Sequence, residues 1–271
     1  MNGKLIKKPF KNFNKIVLTK NFNEDYQSDF ESLLEKSEAI EVAAFRKFLN
    51  REYNKGIDSY LQSGKVTGWD ALFNETQIAA LYVTLYRNIG LRFSKLYYDT
   101  FNKVNPTNIN PNNYRSIWED AFRNVGKKIS DFRGASVSST QQRELTKFIE
   151  RFHRSPEFQK LNERQAGRIL RSQVKDVSEW RSKLIVRTEA TNAANFANMQ
   201  TSLDMYGKDN LEKTWLTSFV RSRDSHISAN NQKRKFDEMF FVGGEYLSHP
   251  GSGSLPANNC NCGCLAIFKP I

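Results

Sequence analysis

The sequence predicts an α+β protein that is predominantly α-helical, with a helical N-terminal region followed by a small mixed α/β unit at the C-terminus. Three observations predict this. Apolar residues recur at three- and four-residue steps from about Asp25 to Leu184, the period of amphipathic helices. Beyond Gly207 that period stops, and short strand-like runs appear between Gly- and Pro-containing turns. Ahead of both, the first two dozen residues are basic, and Pro9 interrupts any helix. The expected division is therefore an extended arm over 1–24, a helical region over 25–178 and the mixed unit over 179–271.

In the arm, Lys4, Lys7, Lys8, Lys11, Lys15 and Lys20 alternate with Phe10, Phe13 and Phe22, which suggests an arm that docks through its aromatics. Next, Phe30, Leu33, Leu34, Ala44, Phe45 and Phe48 predict one amphipathic helix or two. A Gly/Ser loop around Gly64 leads to a second long helix with the stripe Ile78, Leu81, Tyr82, Leu85, Ile89, Phe93 and Leu96. The segment Asn105 to Asn113, with Pro106 and Pro111, is a connection. A third helix carries Trp118, Ala121, Phe122, Val125 and Ile129; Gly134 to Thr140 then reads as a loop that caps a fourth helix ending near Ser155-Pro156.

The following stretch presents Ile169, Leu170, Val174, Val177, Trp180 and Leu184, with Arg164, Arg168, Arg171 and Lys175 along its polar side. That basic face is a candidate contact for DNA or an acidic partner, as are Lys4, Lys7, Lys8, Lys11 and Lys15 of the arm; a solvated face is the alternative. The net charge of +12 supports the distinction, because the surplus lies in residues 1–20 (six lysines, no acid) and 115–187 (seventeen basic, nine acidic). A polyanion neutralised there would release its counterions.

After Trp180 comes a helix rich in small and amide residues, in which Arg187 and Glu189 are candidates for a partly buried polar network. A catalytic acid at Glu189 would need a second placed carboxylate or a base, and the sequence supplies neither; a cleft around Glu189 would favour an enzyme. Lys213 to Val220 reads as a strand, with Trp215, Thr217 and Phe219 on one face. A charged turn from Arg221 to His226 and two further strands, Met239 to Val242 and Leu265 to Lys269, follow.

The three cysteines, Cys260, Cys262 and Cys264, are too clustered to staple a fold. With His226, and with His249 as a further candidate, they can supply a tetrahedral zinc; two thiols spaced Cys-x-Cys share one face of an extended chain. The alternative is that the cysteines are small residues packed around a tight turn, with His226 bonded to a carbonyl. No stretch approaches the roughly 18 apolar residues of a membrane span, and no signal-peptide pattern is present, so a cytoplasmic protein is expected.

The order of Arg187-Thr188-Glu189 with Ala190, Ala193 and Asn195, the strand at Lys213 and Trp215, Arg221 to His226, and Pro256-x-Asn258-Asn259-Cys260-Asn261-Cys262 resembles the phage Mu protein F-like family of minor head proteins. Phe236, Gly243, Gly244 and Pro250 keep the family's spacing; Asn261 stands where the family has arginine, and Val220 where it has an acid. The resemblance covers about residues 180–271. It implies a non-enzymatic virion component inside the head at the portal vertex, made in the host cytoplasm and acting in head morphogenesis and in DNA packaging or ejection. Its implied partners are portal protein, major capsid or scaffolding protein, and packaged DNA. The competing expectation is a nucleic-acid-binding protein with a small Cys/His zinc module.

Overall fold

The computed structural model describes residues 20–218 and 222–271. The lysines from Lys4 to Lys15 lie outside the described residues, as do Phe219, Val220 and Arg221. The described chain forms α1 (Lys20–Ser63), α2 (Glu75–Val104), α3 (Pro111–His153), α4 (Pro156–Gln159) and α5 (Glu163–Tyr206), followed by a 3₁₀ turn and β1 (Leu211–Leu216). Then come α6 (Asp224–Ile227), β2 (Lys233–Lys235), β3 (Phe240–Val242), β4 (Glu245–Leu247), α7 (Pro256–Asn259) and β5 (Leu265–Pro270). The fold is thus predominantly helical α+β. Among the described residues, no helix is long and apolar enough to cross a membrane.

Most helix ends carry their own signals. Asn74 caps α2 by accepting from the Gln77 amide; Asn110 caps α3 with Pro111 at its first turn; Asn162 and Gln165 form a reciprocal capping box on α5. Gly207 ends α5 at φ 73°, where a side chain would be strained. The connection expected around Gly64 is present; the one expected from Asn105 to Asn113 spans only 105–110, because Pro111 opens α3.

Three expectations need correction. The first helix is a single 44-residue element that begins at Lys20, so residues 20–24 of the expected arm are helical. Helix α5 runs unbroken through residue 179, where the mixed unit was expected to begin. The loop expected from Gly134 to Thr140 is instead the middle of α3, and Ser155 caps only the four-residue α4. The reason lies in packing: Gly126, Ser130, Gly134 and Ser138 recur every fourth residue and are all buried on one helix face. At Gly126 a Cβ would sit 2.9 Å from Tyr86 Cβ and 3.0 Å from Val83 Cα, so small residues let α3 close on α2. Composition alone reads like a loop, but the four-residue spacing of these small residues is helical.

These contacts predict opposite outcomes for two glycines of one helix. Gly126→Leu is expected to lose about 2–3 kcal/mol by overpacking against backbone. Gly134→Ala, whose Cβ would meet nothing nearer than Ile78 Cγ2 at 3.9 Å, is expected to gain about 0.5–1 kcal/mol from helix propensity. Urea denaturation of the two variants checks both.

Helix α5 runs antiparallel to α1 and is held along its length by Tyr26–Asn198, Glu38–Arg187 and Asp58–Arg171 pairs. Its other flank meets α2, and α3 packs on α2. At one end, Tyr97 stacks on Phe101 at 4.2 Å and Phe30 meets Phe93 edge-on at 4.7 Å. The strands form an antiparallel sheet in the order β2-β1-β5, with Lys213 opposite Arg234 and Phe268, plus a β3–β4 hairpin. Gly243 and Gly244 turn that hairpin with φ of 56° and 80°, as a two-residue turn with two left-handed positions requires. The sheet docks on the bundle, where the Tyr97 hydroxyl donates to the Phe268 carbonyl at 2.6 Å.

Candidate metal centre and the polar junction of α5

One face of α5 is built to hold an extended chain. Thr188, Thr191 and Asn195 lie at steps of three and four, so their side chains stack along one side of the helix. Thr188 Oγ1 accepts from the Asn261 amide at 3.1 Å, and Thr191 Oγ1 donates to the Cys262 carbonyl. Asn195 Nδ2 donates to the Cys264 carbonyl at 3.0 Å, while its Oδ1 accepts from the Ala266 amide at 2.7 Å. The helix thus satisfies backbone groups of residues 261–266 that no strand pairs on that side. Arg187 extends the junction outward, donating to Glu38 Oε2 at 3.3 Å and to Asn261 Oδ1 at 3.1 Å.

This junction sets the cysteines. Cys262 Sγ and Cys264 Sγ each lie 3.5 Å from His226 Nδ1, and all three residues are fully buried. His226 is fixed on α6, which takes up residues 224–226 of the expected charged turn. Its ring stands edge-on to Trp215 at 5.7 Å, and its carbonyl accepts from Thr217 Oγ1 at 2.7 Å. Its Nε2 is buried with no hydrogen-bond partner among the described residues. Trp215, fully buried on β1, also meets Phe240 at 5.4 Å.

His226, Cys262 and Cys264 form a group that can hold a metal ion. A tetrahedral zinc with its usual Zn–S and Zn–N bonds separates its sulfur and nitrogen ligands by about 3.5 Å, so the two sulfur–nitrogen distances suit one. The thiols share a proton unevenly. A hydrogen bond with Cys264 and burial both push Cys262 up, whereas the bond from Cys262, aided by His226 and Ser222, pulls Cys264 down toward thiolate. Thiolate character is what a metal selects.

Two expected ligands lie elsewhere. Cys260 is half-buried and lines a separate cleft, because Arg223 Nη2 and the short α7 hold its backbone on the other side of the turn. His249 packs edge-on against Phe196, with Nδ1 bonded to the Pro250 carbonyl. Burial drives the His249 pKa down to about 4, with nearby Lys213 adding to the effect and the Pro250 carbonyl opposing it. An unfolded chain protonates this histidine below about 6.5 while the folded chain does not, so stability is full above that pH and falls as pH drops toward 4. The expected loss over that window is about 3 kcal/mol, and a His249→Gln variant should lack it when unfolding is followed at several pH values.

Glu189 is the centre of a second network, apart from the metal group. Both its oxygens accept from Arg133 Nη1 at 3.0 and 3.1 Å, Tyr82 donates to one at 3.3 Å, and Tyr86 to the other at 2.8 Å. Asn192 Nδ2 donates to the Tyr86 hydroxyl at 2.7 Å. Arg133 Nη2 reaches the carbonyls of Gly251 and Gly253, so one guanidinium ties α3, α5 and the loop before α7 together. A cleft does open over Glu189, but its carboxylate already accepts four hydrogen bonds from three donor groups, and neither cysteine of the metal group reaches it. Of the two candidates for a partly buried polar network, Glu189 thus sits in this one and Arg187 in the junction with Glu38 and Asn261.

Sequence reasoning missed Arg133, Tyr82, Tyr86 and Thr191. The two tyrosines sit in an apolar stripe, and only their i, i+4 spacing hints that two hydroxyls share one target. Arg164, Arg168, Arg171 and Lys175 are all exposed on α5, with Arg171 paired to Asp58 of α1. Lys213 is buried; it donates to the Ser248 carbonyl at 2.9 Å over the Phe240 ring, and burial lowers its pKa to about 8.

Fold and site together define a helical scaffold clasping a small antiparallel unit through a Cys/His-centred junction. The chain matches no family model, no curated protein and no solved structure.

Proposed function

We propose that this chain is a structural minor head protein of a tailed phage, held at the portal vertex inside the head, with a role in head morphogenesis and in DNA packaging or ejection. The observation that carries the reading is the convergence of the motif residues. Arg187, Thr188 and Asn195 grip residues 261–266, and Trp215 and His226 close over the same cysteines. Residues that carry the family resemblance thus act as one structural joint rather than as a reaction centre. In this reading the protein is not an enzyme, and the Glu189 carboxylate at the base of its cleft is already held by Arg133, Tyr82 and Tyr86. Its partners are the portal protein and a capsid or scaffolding protein, and the exposed α5 cations face packaged DNA. Affinity purification from infected cells should recover portal protein and place the chain in DNA-filled heads. Recovery of neither portal nor capsid protein would sink the proposal.

In the same reading, His226, Cys262 and Cys264 hold a structural zinc, which when bound locks α6 to the start of β5. Elemental analysis of purified protein is expected to give about one zinc per chain, since a three-ligand group holds one ion; a ratio near zero ends the idea. A second reading, a nucleic-acid-binding protein built on the same zinc module, draws on the exposed row Arg164, Arg168, Arg171 and Lys175. Tight, sequence-dependent DNA binding by the isolated protein would favour it over the first.

A further inference from the structure

The cleft over Glu189 has a volume of about 360 Å³, at the small end of ligand-binding pockets. Its walls are Phe132 and Val137 of α3, Leu184 and Ile185 of α5, and Pro256 of α7. Every buried polar group at its base is already paired. Glu189 is met by Arg133 and two tyrosines, Thr188 both donates to Leu184 and accepts from Asn261, and Asn259 is bonded to Gly253 and Leu255. Apart from the Ser136 hydroxyl and the Cys260 thiol, an occupant therefore finds van der Waals surface inside, which favours an apolar side chain.

The mouth differs. Arg181 donates through Nε to Gln141 and lies 5.2 Å over the Trp180 ring; among the described residues it has no carboxylate partner. Its two terminal nitrogens, which bond to nothing among the described residues, can hold a carboxylate in a fork. Phe132, 67% exposed, lines the cleft, and Trp180, 59% exposed, packs against the Arg181 guanidinium, a pairing of exposed aromatics with arginine that is common in binding hot spots.

We infer that this cleft is a docking site for a peptide segment of a partner protein in which an apolar side chain is followed closely by a carboxylate. The side chain fills the space between α3 and α5, and the carboxylate pairs with Arg181. Charge complementarity selects the occupant: residues 115–187 carry seventeen basic and nine acidic residues, and Arg181, which lines the cleft, has no carboxylate partner among the described residues. The inference does not depend on the head-protein reading, since any partner with such a segment would fit.

Cys260 provides the test. It lines the cleft and is partly exposed, whereas Cys262 and Cys264 are fully buried, so a maleimide reports on cleft occupancy. A blocked Gly-Phe-Asp-Gly peptide added to the full chain at twice its dissociation constant should slow labelling about threefold. Blocked Gly-Ala-Asp-Gly and Gly-Phe-Lys-Gly should protect far less, and Arg181→Gln should weaken protection by the first peptide. Phe132→Ala, a change at an exposed position, should weaken it as well. Equal protection by all three peptides, no protection by any, or indifference to Arg181→Gln overturns the proposal. It is also overturned if Cys260 is already protected and becomes reactive on removal of residues 1–19, which would make the chain's own arm the occupant. Protection that rises with protein concentration alone would assign the cleft to a second copy instead.

Discussion

Replacing Arg133 with methionine is expected to cost about 3–5 kcal/mol of folding stability, because it leaves the buried Glu189 carboxylate without its counter-ion. In a protein of this size that lowers the melting temperature by about 10 °C. Adding Glu189→Gln should return part of the loss: the neutral amide keeps one oxygen as acceptor for one tyrosine hydroxyl, turns an NH2 donor toward the other, and carries no charge to strand. The two changes should therefore be non-additive by more than about 1 kcal/mol in a double-mutant cycle. Additive losses would mean that the pair is not the stabilising contact. A second readout separates the two jobs of the arginine. Arg133 Nη2 holds the carbonyls of Gly251 and Gly253, so limited proteolysis should open residues 250–254 in both arginine variants, whatever stands at position 189.

The Asn195→Leu change should be nearly as damaging. It removes the partner of the Cys264 carbonyl and of the Ala266 amide at once, two buried backbone groups that cost about 1–3 kcal/mol each when left unsatisfied. The expected total is about 2–6 kcal/mol. With the anchor gone, Cys262 and Cys264 should become reactive to a thiol reagent in the native buffer. Asn195→Asp is the discriminating variant, since it keeps the acceptor for Ala266 and loses the donor to the Cys264 and Thr191 carbonyls. If Asn195→Leu leaves both thiols protected and the protein as stable as the parent, α5 does not position the Cys-x-Cys segment.

These two networks also show where sequence reading stops. The polar character of Glu189 was legible because a charge inside an alanine-rich helix needs a partner, yet the partner lies 56 residues away on α3, and no local pattern links them. Asn195 stood out within an alanine- and asparagine-rich run, but what its amide binds depends on the strand that reaches it. The cysteines and His226 were legible as a ligand set from their chemistry. Which three converge was not, because Cys260 and Cys264 are equally close in sequence to Cys262 while the turn at Asn261, with φ 58°, sends one of them away.

By itself the sequence determined the helical class, the breaks around Gly64 and after Asn105, and the switch to strands beyond Gly207. Each of these follows from local causes: the apolar period, side chains that cap the next turn, and glycines at left-handed positions. Only the tertiary structure decided that Gly126, Ser130, Gly134 and Ser138 are a helix crossing and not a loop, that α5 is one helix, and that Arg133 rather than Arg187 balances Glu189. Small residues, buried charges and free thiols take their meaning from whatever approaches them, and that approach is made by chain segments tens of residues away.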